Sequence, residues 1–379
     1  MSAYLDHAAS TPMRPEAIAA MLPFLGEHAA NPTGSHAAAR AAKTALEEAR
    51  EIVAECCAAR PDEVVFTGGG SEADNLAIKG AAAARREHCT NVVTTGIEHK
   101  AVLGSVARLG IEGWDVRIAP ADRWGTVDLD ALEGLVDERT AVVSVMTVNN
   151  ETGVSQPLDA TTDIVREFGP NAAYHSDAIQ APQWLDLRYK TRHVELVALS
   201  GHKFGGPKGV GALIVRDKTA LTPLLEGGGH EFGLRAGTQN VAGIVAFATA
   251  LRVTDAQRAV ECARIGTLRD RLEAGLREHI AGFSVNGDDR VEGALHCTIE
   301  GVEAETLLVA LDQEGIYAAS GSSCSSGAAD PSHVLMAMGM SKEQALSSVR
   351  FSLGWASTDA DIDEALRVIP EVVAKLRAA

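Results

Sequence analysis

What this sequence lacks narrows its function before any motif is read. It has no excess of positive charge: 34 Lys+Arg stand against 51 Asp+Glu, a formal charge of -17. That balance favours solubility and argues against a protein that reads a phosphate backbone through its overall field. It has few cysteines, six at positions 56, 57, 89, 262, 297 and 324, and none follows C-x-x-C ligand spacing. Their scatter suits a reduced compartment, with most of them core fillers and one open to a reactive role. The Ala-rich stretches have neither the length nor the continuity of a membrane span. The opening MSAYLDHAASTP has no basic leader and no apolar segment, so no signal peptide is expected. The expectation is a cytoplasmic protein with no direct nucleic-acid or membrane partner. No internal repeat and no long low-complexity linker divides the chain.

What is present is an α/β pattern. With 379 residues, 46% of them hydrophobic, the chain can bury one large core and a smaller one. Short β-branched runs at 63–66, 91–94, 141–148, 172–175, 194–199 and 210–215 alternate with helical patterns at 44–59, 72–85, 100–109, 129–138 and 161–168. That alternation predicts a mostly parallel sheet. Beyond residue 245 the texture changes: two long helical patterns, 241–253 and 256–279, precede shorter elements around 296–299 and 303–314, and a last helix is expected at 360–378. The expected division is a large domain over 16–245, with 1–15 and 246–379 forming a smaller one.

The chemistry-bearing residues cluster at expected strand ends. SGHKFGGPKG at 200–209 follows an apolar run and offers Ser200, His202 and Lys203 among glycines, room for a planar ligand near the backbone. A lysine there can hold an aldehyde cofactor as a Schiff base and later move protons, although a turn lysine on the surface reads the same way in isolation. The 67–71 loop, TGGGS, has the order of neither a triphosphate loop nor a dinucleotide loop. Its Gly70 and Ser71 amides, opening a helix, can still bind one phosphate. Asp177, past another strand, can pair with a protonated ring nitrogen or merely cap a turn, and Gln180 can reach a ring oxygen. His99 can stack on a flat ring, and Asn150 can hydrogen-bond a ring hydroxyl. Cys324 lies in SGSSCSSG at 320–327, too polar and glycine-rich for a core cysteine and suited to carrying a thiolate toward a ligand. Arg350 can form a bidentate pair with a substrate carboxylate, or an interdomain salt bridge. No metal site is expected.

Taken in order, these segments resemble the cysteine desulfurases of the class V aminotransferase group over essentially the whole chain. The matching stretches are YLDHAASTP near the start, NPTGSH at 31–36, FTGGGSEADNLAIKG at 66–80, TTGIEHKAV at 94–102, VNNETGV at 148–154 and YHSDAIQA at 174–181. They continue with SGHKFGGPKGVGAL at 200–213, GGGHEFGLRAGTQN at 227–240, SGSSCSSGAADPSHVL at 320–335 and VRFSLG at 349–354. The resemblance implies a fold-type I homodimer that uses pyridoxal 5'-phosphate at a site shared between subunits. It further implies Lys203 as the cofactor lysine, Asp177 at the pyridine nitrogen, and Gln180 and Asn150 near the ring oxygen. His99 is the implied stacking residue, and Gly70, Ser71, Ser200 and His202 the phosphate cradle, with Thr238 reaching it from the other subunit. Arg350 matches the substrate-carboxylate arginine, Asn31 a substrate-site residue, and Cys324 the cysteine that accepts sulfur from L-cysteine as a persulfide, leaving L-alanine.

The twelve-residue segment 321–332 resembles the longer cysteine loop of the nitrogen-fixation and iron-sulfur assembly subgroup, and the RxGxHC-like pattern of the other subgroup is absent. The chain closes on VAKLRAA without the extended tail that housekeeping members use to dock a scaffold. Three classes of acceptor therefore stay open: an iron-sulfur scaffold, a tRNA-thiolation protein and a DNA-phosphorothioation protein. A selenocysteine lyase or an aminotransferase of the same fold is the nearest alternative activity, and a relay protein that has lost its chemistry the more distant one.

Overall fold

The computed structural model describes residues 2–320 and 330–378. In chain order its elements are β1 (Ala3–Tyr4), α1 (Pro15–Leu25), α2 (Ala37–Cys56), β2 (Val64–Thr67), α3 (Gly70–Ala84), β3 (Asn91–Thr95), α4 (Lys100–Ile111), β4 (Asp115–Ala119), α5 (Leu129–Leu135), β5 (Thr140–Ser144), α6 (Leu158–Phe168) and β6 (Ala173–Asp177). There follow α7 (Leu187–Lys190), β7 (Leu196–Ser200), β8 (Gly211–Val215), α8 (Val241–His279), β9 (Phe283–Val285), β10 (Ala294–Ile299), α9 (Ala304–Gln313), β11 (Ile316–Tyr317), α10 (His333–Ala337), α11 (Lys342–Leu346), β12 (Ser348–Ser352) and α12 (Asp359–Ala378).

Seven strands form the central sheet in the order β2-β8-β7-β6-β5-β3-β4. Only β8 runs against its neighbours, so the carboxyl ends of β2, β3, β5, β6 and β7 share one edge. This edge is where ligands sit in open α/β sheets. Side chains of β7 alternate between two cores: Val197 and Leu199 join the larger cluster with α8, while Leu196 and Ala198 join the α3/α4 side. Burial on both faces explains why these strands read as continuous apolar runs. A three-stranded antiparallel sheet, β12-β10-β9, and the parallel pair β1-β11 complete the chain. Through that pair the first residues dock on the C-terminal third, and Asp6 bridges to Ser352.

The structure differs from the sequence expectation at several elements, α2 among them, which spans Ala37–Cys56 rather than 44–59. The patterns at 241–253 and 256–279 are one helix of 39 residues, α8, so the expected boundary at 245/246 falls inside it. The strand expected over 141–148 stops at Ser144, and the chain then turns along the sheet edge to Asn150. The β4 edge strand, with alternating exposed charge, carried no apolar run.

Candidate active site

The cavity at the sheet edge has a volume of about 710 Å³ and is lined from five strand ends together with the N-terminal segment and β12. After β2 the chain passes through Gly68 and Gly69, the latter at φ +148°, and starts α3 at Gly70. A Cβ at Gly70 would lie 2.1 Å from Ile179 Cδ1 and 3.3 Å from Ser200 Cβ, so any side chain there would displace Ile179. The amino end of α3 therefore meets the cavity as bare backbone beside Ser71, with unpaired amides and the positive end of the helix dipole. Across from it, Ser200 Oγ is 2.9 Å from His202 Nδ1. Burial, then the charges of Lys203 and Lys208, pull the His202 imidazole down to about 4, so it faces an anion as a neutral group.

Lys203 follows the end of β7. Its Nζ donates to Ala8 O at 2.6 Å and Ala9 O at 2.9 Å. Burial, then Arg350, lower this amine to about 8, while Asp177 and Asp6 pull the other way. An amine in that range is part neutral near physiological pH and fit for nucleophilic and proton-transfer work. Asp177 closes β6, buried, with Oδ1 accepting from Ile179 N at 2.9 Å. Burial raises its carboxyl, and His99, the Ile179 amide and Lys203 hold it back. His99 caps α4, its Nδ1 accepting from Ala101 N at 3.1 Å, and burial lowers its imidazole. Gln180 donates to Ala8 O at 2.9 Å.

Arg350, on β12, donates from Nη1 to Asn150 O at 2.8 Å and from Nη2 to Asp6 Oδ1 at 2.7 Å. Arg350 Nε and Asn150 Oδ1 are buried and have no partner. Polar atoms buried without partners beside a cavity mark places where a ligand completes the bonding. The donor set fits a phosphorylated pyridine aldehyde: helix amides, two serine hydroxyls and His202 for phosphate, Asp177 for a ring nitrogen, Asn150 and Gln180 for a ring oxygen, and Lys203 for the aldehyde.

Of the residues singled out from sequence, Gly70, Ser71, His99, Asn150, Asp177, Gln180, Ser200, His202, Lys203 and Arg350 all line this cavity. Asn31 and Thr238 do not. Asn31 is exposed, its Oδ1 accepting from the backbone and hydroxyl of Thr33, and Thr238 is exposed on the segment leading to α8. Cys324 lies outside the described residues. The flanking chain is anchored on both sides: Ala319, in the cavity lining, exchanges backbone hydrogen bonds with Arg350, and the Ser332 hydroxyl donates to the carboxylate of Glu151, the residue after Asn150. The other five cysteines are buried or half-buried, and burial pushes the thiols of Cys56, Cys57 and Cys262 up to about 12. Reasoning from side chains missed the carbonyls of Ala8 and Ala9 and the Asp6 carboxylate; their only signal was the YLDHAAS segment itself.

A family model described as aminotransferase class-V matches residues 3–365. An IscS-like cysteine desulfurase of Mycobacterium tuberculosis (strain ATCC 25618 / H37Rv) is 44% identical, covering 100% of this chain and 98% of its own length. Among solved structures, a NifS-like protein superposes with a TM-score of 0.93 at 33% identity, covering 99% of this chain and 100% of its own. A structure titled SspA in complex with cysteine has a TM-score of 0.81 at 33% identity, over 94% of this chain and 100% of that one.

Proposed function

Because the chain belongs to the class V aminotransferase family, we propose that the cavity around Lys203 is the site at which it removes sulfur from L-cysteine. The chain is a cysteine desulfurase that depends on pyridoxal 5'-phosphate. The observation that carries the assignment of the site is the convergence of Lys203, Asp177, His99 and the amino end of α3 on one cavity. When bound, pyridoxal phosphate supplies an electron sink for charge developing at the substrate Cα.

The protein's residues supply the rest. Arg350 exchanges Asp6 for the substrate carboxylate, a bidentate pairing that fixes the Cα–H bond relative to Lys203. Lys203 Nζ takes that proton and returns one to the carbon fragment. Cys324 attacks the substrate sulfur as a thiolate. The S–S bond forms as the C–S bond breaks, the electron pair stays with the carbon fragment, and protonation yields alanine. His99 exchanges protons with the thiol groups nearby.

In the assembled enzyme the site is shared in a homodimer, with Thr238 and Asn31 serving the partner's cavity. Leu224, Leu225 and Phe232, 43%, 46% and 55% exposed, give the segment before Thr238 an apolar surface suited to such an interface. The persulfide passes to a protein acceptor in the cytoplasm, an iron-sulfur scaffold or a thiolation partner. Residues 16–245 hold the cofactor in this reading, while 1–15 and 246–379 contribute Asp6 and Arg350 to its cavity.

Cys324→Ser should keep the visible absorbance of the bound cofactor and lose sulfide release from cysteine and a dithiol. Mass spectrometry of the wild-type protein after turnover should find one extra sulfur on Cys324. Wild-type turnover in the variant overturns the role of Cys324.

A further inference from the structure

Asp74 is a buried acid that the reaction above does not use. It lies one turn inside α3, with no solvent exposure, and neither of its carboxyl oxygens has a hydrogen-bond partner. Two elements face it with titratable groups. From β6 come His175, whose Nε2 is 3.5 Å from Asp74 Oδ1 and is itself unpartnered, and Asp177. From the turn before α4 come Glu98 and His99. Polar atoms of Asp74, His99 and Asp177 lie within 4.8 Å of one another.

Two buried carboxylates this close do not both ionise without a strong penalty. Asp177 has the means to hold the charge: an amide donor from Ile179, with His99 and Lys203 nearby. Asp74 has no amide donor, and of these groups it shares only His99. His175 offers no cation either, because burial pulls its imidazole down to about 3 and its Nδ1 is engaged with Ser144 Oγ at 2.8 Å. Burial, then Asp177 and Glu98, raise the Asp74 carboxyl well above the usual range.

We propose that Asp74 is a positioning residue, an uncharged carboxylic acid backing Asp177, so that the inner end of the cavity presents a single negative charge to the cofactor ring. This rests on Asp177 facing the ring nitrogen, but the charge state of Asp74 is measurable independently of that assignment.

In the unfolded chain Asp74 titrates at about 3.9. In the folded protein it holds its proton to higher pH, so between those values the native state binds more protons and stability falls as pH rises. Asp74→Asn keeps the shape and removes this penalty. The variant holoenzyme should melt above wild type at about pH 8, with the gain shrinking toward zero near pH 4. A melting point below wild type at the higher pH, as expected for a charged Asp74 paired with a cationic His175, overturns the proposal. In an Asp177→Asn background the gain should be smaller, since part of the penalty comes from Asp177; an equal gain also overturns it. At neutral pH the cofactor absorbance maximum should stay in place in Asp74→Asn, and a displaced maximum there counts against an uncharged Asp74. The maximum should move in Asp177→Asn. If it does not, Asp177 loses its place at the ring nitrogen and Asp74 this role, while the melting data still report the charge of Asp74.

Discussion

At the residue scale, the cavity is organised around one amine. Lys203 Nζ rests in a fork of two carbonyls, and burial together with Arg350 brings it down to about 8. Only the neutral amine adds to an aldehyde, so pyridoxal phosphate uptake by the unloaded protein should accelerate as pH rises through about 8 and then level off. Arg350→Gln removes a nearby positive charge, lets Lys203 keep its proton longer and should move this midpoint upward. The growth of cofactor absorbance after mixing measures both, and a wild-type midpoint in the ordinary lysine range would count against the perturbed amine. The side chains around Lys203 were legible because each sits in a short motif at a strand end. Ala8 and Ala9 were not, since a carbonyl acceptor leaves no mark on residue type. Asp74 and His175 were also passed over, because their meaning lies in buried carboxyl oxygens and an Nε2 left without hydrogen bonds, which only packing reveals.

At the element scale, the junction between β2 and the segment before α8 depends on one buried carboxylate. Glu231 accepts from Arg50 Nη1 and Nη2 at 2.8 and 3.0 Å, from Phe66 N at 2.8 Å and from Gln239 Nε2 at 3.0 Å. It does so at a left-handed φ of 46°, with Phe232 beside it at 58°. Removing one member of a buried pair leaves the other charge uncompensated. Glu231→Ala should therefore cost about 3–5 kcal/mol in a denaturation experiment, whereas a loss under about 1 kcal/mol would mean that half-exposed Glu47, 3.1 Å from Arg50 Nε, compensates Arg50 by itself. The same kind of tertiary bonding explains the unbroken α8. Thr254 and Asp255 look like a helix break in sequence, yet Thr254 bonds Arg14 and Phe204 O, and Asp255 pairs with Arg188 and Arg258. Polar residues that satisfy distant partners are indistinguishable from turn residues until those partners are known. The central strands were legible because burial on both faces gives a continuous apolar signature.

At the scale of the whole molecule, the described chain completes most of a site and leaves Asn31 and Thr238 outside it. If each subunit lends Thr238 to its partner, a Lys203→Ala chain and a chain altered at Thr238 should complement. Mixed dimers would contain one cavity with both residues intact, and activity should reappear on mixing and reassembly. No recovery in dimers shown to be mixed would place Thr238 outside the chemistry. The C-terminal third was the least legible region, because its strands are short and its sheet is closed by contacts with residues 3–6, more than 300 positions away in the chain.

The 39-residue helix α8 has a mechanical consequence. About 58 Å long, it begins at the Asn240 cap, two residues past Thr238, and runs on to pack against β10, which carries β12 and Arg350. With no loop along its length to act as a hinge, a push at its first turn is transmitted as by a rod. The segment that carries Thr238 and the sheet that carries Arg350 are thus mounted in series on one stiff lever.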